Sequence, residues 1–177
     1  LRGNGATLKL DPDGTDGNPF RVGSFDPETG EPADGPTTNR NLQAGVAGLT
    51  LSGVAHVRIE NLEIDGSNEH VMLGGAWGDT GYQVPGNNLA IRGRTKCLIE
   101  NVHTHHAVKD GLYVDTSIRG RPINGTAEFD SSRLANIHAR NLRSEYNGRQ
   151  GMSYTGGIGG VFENCDFNHT GKGGVNS

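Results

Sequence analysis

The sequence predicts an all-β solenoid, a stack of short strands in which each unit covers the apolar face of its neighbour. The first observation behind this is a repeat. The stretch Arg58-Ile59-Glu60-Asn61-Leu62-Glu63-Ile64 returns as Leu98-Ile99-Glu100-Asn101-Val102-His103-Thr104, as His138-Ala139-Arg140-Asn141-Leu142-Arg143-Ser144, and as Val161-Phe162-Glu163-Asn164-Cys165-Asp166-Phe167. Asn61, Asn101, Asn141 and Asn164 thus share one position, at spacings of 40, 40 and 23. Repeats of this length bury their apolar face only by stacking. The second observation is alternation: Val57, Ile59, Leu62, Ile64, then Cys97, Ile99, Val102. A period of two means strands, and the bend at Asn, which tolerates left-handed backbone, resets the phase. The third is composition. Hydrophobic residues make up 32%, aromatics 6%, and Gly 29 of 177, meagre for a globular α/β core but suited to short strands joined by permissive corners.

Taken in order, residues 5–10 read as a strand, and 11–44 as a loop rich in Asp, Gly, Pro, Thr and Asn, long enough to suggest a role of its own. Residues 47–65 carry two or three strands. A Gly-rich excursion at 74–88 holds Trp77 and Tyr82, the next repeat spans 88–115, and a second excursion holds Arg119 and Arg121. The remaining repeats follow from 127. The spacing of 23 is close to one minimal turn, so the two spacings of 40 place additional residues at 74–90 and 114–130. Ile59, Ile99, Ala139 and Phe162 are expected to form one inward column, and Met72, Leu112, Met152 and Val175 another. We expect a single domain over 1–177, irregular over 1–44 and regular over 45–177, with about four to six turns and continuation beyond Ser177.

At 177 residues the chain can bury a continuous core. Its formal charge of −4 weighs against nucleic acid as a partner. No stretch resembles a signal peptide or a membrane span. Cys97 and Cys165 fall at inward positions of separate turns and read as buried free thiols.

The pattern Ile/Phe-Glu-Asn-apolar, followed by Asp110-Gly111-Leu112-Tyr113-Val114 or Gln150-Gly151-Met152-Ser153-Tyr154, resembles right-handed parallel β-helix proteins of the pectate-lyase-like superfamily. The opening Arg2-Gly3-Asn4-Gly5-Ala6-Thr7-Leu8 is similar to the first turns of those proteins. The resemblance covers 45–177 well and 1–10 loosely. It implies a carbohydrate-active protein that is secreted, periplasmic or on a cell or virion surface, monomeric or trimeric, with substrate along the outer face of the first strand of each turn. The superfamily holds polysaccharide lyases, glycoside hydrolases, uronan epimerases and phage tailspikes. Neither a polygalacturonase signature (Asn-Thr-Asp, Asp-Asp, Gly-His-Gly) nor the Asp-Pro-His-Glu of alginate epimerases occurs.

On that face the resemblance implies outward positions at Leu73, Tyr113, Asp115, Ser153, Thr155 and Asn176, with Tyr113 and Ser153 on a groove floor. Lys109, Arg149 and Lys172 are register-equivalent, as are His106, Tyr146 and His169. Cations stacked about 4.8 Å apart repel one another, and an acidic polysaccharide across them removes the repulsion. The alternative is a solvated basic edge balanced by Asp110, Glu145 and Asp166. Cleaving a uronate polymer by β-elimination needs a neutralised carboxylate, a base and an acid. Lys109 is assigned as base and Arg149 as neutraliser or acid, with Tyr146 and His106 as further candidates. Substrate contacts are assigned to Tyr113, Ser153, Lys172, His169, Trp77, Tyr82, Arg119 and Arg121. Hydrolysis by a carboxylate pair drawn from Asp110, Asp115 and Glu145 is the alternative, and a non-catalytic glycan-binding or structural segment is the third reading.

His103 and His105 point the same way, but their register mates Glu63, Asp65, Arg143, Glu145, Asp166 and Asn168 make a column of mixed charge. It reads as a solvated face, and no metal is assigned. Asp11, Asp13, Asp16 and Asn18 carry oxygens suited to calcium, the cofactor often found in similar lyases, and turn chemistry explains that spacing equally well.

Overall fold

The computed structural model describes residues 1–9, 20–23, 29, 48–74, 86–93, 95–115, 135–157 and 159–171, with backbone alone at 20–23 and 72–74. The described strands are β1 (Arg2–Lys9), β2 (Phe20–Gly23), β3 (Leu49–Ser52), β4 (Val57–Asp65), β5 (Val71–Gly74) and β6 (Leu89–Arg92). There follow β7 (Lys96–His105), β8 (Asp110–Asp115), β9 (Asn136–Glu145), β10 (Gln150–Tyr154), β11 (Val161–Glu163) and β12 (Asp166–Asn168). Among the described residues a single short 3-10 turn, Asn68–His70, interrupts them. The chain is all-β, and every described strand pairing is parallel. The large sheet runs β1-β4-β7-β9, with β11 and β12 both on β9; the small sheet runs β3-β6-β8-β10; β2 and β5 form a pair. No described helix is long and apolar enough to cross a membrane.

The alternation read from the sequence becomes burial. Ile59 pairs with Ile99, Ile99 with Ala139 and Ala139 with Phe162, and the first three are fully buried. Leu89, Ile91, Leu112 and Val114 of the small sheet pack against this column to make one core. Each such side chain contributes about 1.5–3 kcal/mol by leaving water. Burial also pushes the Cys97 thiol up to about 12, so it sits among these side chains as a small apolar group. Cys165 is likewise a free thiol, half-buried.

The phase reset falls where expected. Asn61, Asn101, Asn141 and Asn164 have φ of 53°, 51°, 53° and 52°. Each amide donates to the one before it: Asn101 Nδ2 to Asn61 Oδ1 at 3.1 Å, Asn141 to Asn101 at 2.8 Å, and Asn164 to Asn141 at 2.6 Å. The left-handed bend lets β4, β7 and β9 turn without leaving the ladder.

One expected column is corrected. Leu112 pairs with Leu89 rather than Met72, whose strand β5 pairs with β2 instead. The column therefore reads Leu49, Leu89, Leu112, Met152. β5, which holds Met72, and β6, which begins at Leu89, are both short apolar strands, and only one can occupy the slot beside β8. Local anchoring selects β6: Asn88 Nδ2 donates to Ile64 O at 3.0 Å and His105 O at 2.7 Å, while Gly48 N donates to Asn87 O. The partner of β5, β2, lies inside the stretch expected to be a loop. Val175 lies outside the described residues.

Candidate functional site

The corner after β4, β7 and β9 positions most of the chemistry. Its floor is a set of buried amides. Asn68 Nδ2 donates to Ala107 O and Tyr146 O, and Ala107 N donates to Asn147 Oδ1 at 3.0 Å. Gly111 is required here, because a Cβ would collide with Ser144 Oγ and Asn147 Nδ2. From this corner the side chains reach two outward faces.

On the small sheet, Asp110 is fully buried at the start of β8. Arg149, immediately before β10, clasps it, Nε to Oδ1 at 2.8 Å and Nη2 to Oδ2 at 2.6 Å. Two parallel charge-assisted bonds hold the guanidinium in one plane. Ser153 Oγ accepts from Arg149 Nη2 at 3.1 Å and lies 3.0 Å from Asp110 Oδ2 and 2.5 Å from Gln150 Oε1. Ser153 is outward, as expected of its position, yet buried beneath this network. Tyr113 is its strand partner. The Tyr113 hydroxyl donates to Asp115 Oδ2 at 3.1 Å. The Lys109 ammonium lies 5.3 Å and the Arg92 guanidinium 6.0 Å from the Tyr113 ring centre, within cation–π range. Burial, then the Asp115 charge, raises the Tyr113 pKa above its ordinary value.

The expected ring column is present at the corner itself. His106 stacks on Tyr146 (5.5 Å, 12°) and Tyr146 on His169 (4.9 Å, 18°). All three hold φ near +50°.

On the large sheet, β4, β7 and β9 project Glu63, His103, His105 and Glu145 outward. His103 Nε2 lies 3.1 Å from Glu145 Oε1, and Glu145 is buried and also accepts from Arg143 Nη2 at 2.8 Å. His105 Nε2 lies 3.1 Å from Glu63 Oε1, and the Thr7 hydroxyl donates to the other oxygen, Glu63 Oε2. Burial, followed by the neighbouring His105, lowers the His103 pKa against the opposing pull of Glu145. The hydrogen bond from Thr7, followed by that from His105, lowers the pKa of Glu63.

The fold thus brings Lys109, Asp110, Tyr113, Asp115, Arg149 and Ser153 together, and gathers His106, Tyr146 and His169 beside them. Trp77, Tyr82, Arg119, Arg121 and Lys172, with the calcium candidates Asp11, Asp13, Asp16 and Asn18, lie outside the described residues. Sequence reasoning missed Arg92 and Gln150. Arg92 pairs with Asp115, a spacing of 23 that equals Asn141 to Asn164 and was the available signal. Gln150 is the register mate of Asp110. Comparison with family models, with curated proteins and with solved structures finds no match, so the chemistry of this corner rests on its own geometry.

Proposed function

We propose that the chain is a segment of a right-handed parallel β-helix of the pectate-lyase-like kind that binds an acidic, uronate-containing polysaccharide and cleaves it by β-elimination. The helical path is supported by parallel strands that return to the same two sheets at the spacings of the asparagine ladder. One observation favours elimination over hydrolysis. Of the three carboxylates that hydrolysis has to draw on, Asp110 and Glu145 have side chains only 0% and 5% exposed and are bound to Arg149 and Arg143. A general acid must reach the glycosidic oxygen, and these two are sealed from it. Beside Tyr113, by contrast, Arg92 is exposed, and Lys109, although itself buried, holds its ammonium over the ring.

In this reading Lys109 takes the proton beside the uronate carboxylate, and that C–H electron pair forms the double bond as the C–O bond to the leaving sugar breaks. Arg149, held in orientation by Asp110 and Ser153, neutralises the carboxylate so that developing charge is stabilised. Tyr113 offers a ring face for a sugar. A polymeric uronate is met outside the cytoplasm, so the protein is placed as secreted, periplasmic or surface-bound.

The test is turnover on a panel of uronate polysaccharides, read by the absorbance of the unsaturated product. Lys109→Ala should remove turnover and leave substrate affinity largely intact, because a base acts in the transition state. Full activity in that variant would rule Lys109 out as the base. Reducing ends released without new absorbance would favour a hydrolase. Binding without cleavage would leave a glycan-binding segment.

A further inference from the structure

The outward face of the large sheet carries a cluster that the polysaccharide reading does not use, and its geometry is that of a ligand set. We infer that Glu63 Oε1, His103 Nδ1 and His105 Nε2 bind one divalent transition-metal ion, of the class that zinc represents. His103 and His105 are two apart on β7, so their rings share a face, with centres 4.4 Å apart. Glu63 is the strand partner of His103. Its Oε1 lies 3.1 Å from His105 Nε2 and 3.7 Å from His103 Nδ1, and the three donor atoms lie within 4.8 Å of one another. Donors each about 2.0–2.2 Å from one ion, at angles between square and trigonal, stand roughly 3.0–3.6 Å apart. The set needs only small side-chain adjustment to meet that.

The remaining ring nitrogens support the assignment. A metal-bound imidazole donates its other N–H to an acceptor, which fixes the tautomer and the ring orientation. His103 has that acceptor in Glu145 Oε1, 3.1 Å from Nε2, and Glu145 is itself anchored by Arg143. His105 has it in His106 Nδ1, 2.6 Å from Nδ1. Two bare lone pairs at that distance repel, so a proton lies between them; when His105 supplies it, Nε2 is free to bind the ion in place of the hydrogen bond that it gives Glu63 in the metal-free chain.

A neighbouring trio, Asp65, His105 and His106, also brings its donor atoms within 4.8 Å. It fits less well. Its two nitrogens are too close for a shared ion, while Asp65 Oδ1 stands 3.7 and 3.9 Å from them. In the preferred set Glu63 and His103 are 40% and 34% exposed, whereas His105 and Glu145 are 12% and 5% exposed. The ion is therefore gripped from the sheet and open on the solvent side. Three protein ligands and an open position leave room for a bound water, the arrangement in which zinc acts as a Lewis acid.

The experiment is titration of the tag-free, chelator-treated chain with zinc chloride against a chromophoric chelator. About one zinc per chain is expected, with a rise in the thermal midpoint, since an ion that binds only the folded state stabilises it. His103→Asn and Glu63→Gln should each abolish stoichiometric binding. Glu145→Gln should weaken it about 10- to 100-fold, and His106→Asn by no more than that. Cobalt(II) in place of zinc should give the intense visible bands of a four-coordinate site, a readout on the unaltered chain that needs no variant to fold. Absence of zinc binding, binding that survives His103→Asn, loss as complete with His106→Asn as with His103→Asn, or only the weak spectrum of six-coordinate cobalt would each overturn the assignment.

Discussion

Two of the left-handed corners among the described residues carry stacked side chains, and they are built on different terms. At one corner, Asn61, Asn101, Asn141 and Asn164 adopt φ of 51–53° and link their amides in a continuous ladder. At the other, His106, Tyr146 and His169 adopt φ of 51°, 54° and 47° and stack their rings. Asn enters this backbone region readily, because its short amide bonds locally; Tyr has no such compensation and pays steric strain of about 1–2 kcal/mol. The first corner uses the residue that folding favours. The second sets Tyr146, which this backbone region does not favour, between two histidines, which enter it more readily, beside the chemically richest part of the surface. Backbone strain held in this way accompanies function more often than stability does.

The largest expected effect breaks the first corner. Asn101→Val removes two ladder hydrogen bonds, about 1 kcal/mol each, and forces a β-branched residue into the left-handed region, for about 2–4 kcal/mol in all. Chemical denaturation should register this as a lower midpoint at unchanged slope. A loss under about 0.5 kcal/mol, the range of an ordinary surface substitution, would show that the ladder contributes nothing.

A smaller effect is expected at the second corner. Tyr146→Asn loses ring stacking of about 0.5–1.5 kcal/mol and relieves strain of similar size, so stability should stay within about 1 kcal/mol of the parent. Destabilisation as large as that of Asn101→Val would mean that the rings hold the corner as the amides do, and the contrast would collapse.

The smallest effect separates the corners by pH. Glu163, just before Asn164, has its pKa lowered from 4.5 by the hydrogen bond from His138 and then that from Arg140. The unfolded chain therefore binds more protons in acid, so the contribution is complete above pH 4.5 and is lost as the pH falls below it. Glu163 is exposed, which keeps the effect small. Thermal midpoints of the parent and Glu163→Gln should differ near neutrality and converge toward about pH 3. A gap that persists in acid would assign the effect to packing rather than charge.

How much of this was legible depends on the range over which each cause acts. The asparagine corner was readable because left-handed tolerance is a property of one residue, and a period of 40 repeats it. The ring column was readable from the same register, although its stacking was not. The small sheet was misread at Met72, because two apolar strands competed for one slot and the register alone favoured neither. Asp110 was expected, in the alternative reading, to balance the basic edge, but its clasp by Arg149 in particular was not expected. Register placed Arg149 beside Lys109, whereas its long side chain reaches diagonally to the following residue.

From the sequence alone follow the all-β class, the strands of the repeats, the ladder positions and the inward column of Ile59, Ile99 and Ala139. Each rests on alternation or on single-residue backbone preference, which act within a few residues and repeat down the chain. Only the tertiary structure decided that β6 rather than β5 lies beside β8, that Asp110 and Glu145 are sealed by arginines, and that Glu63, His103 and His105 converge. Those outcomes depend on which strands become neighbours and on how side chains cross between them. Such contacts join residues about 40 apart, where local pattern carries no information and packing competition settles the result.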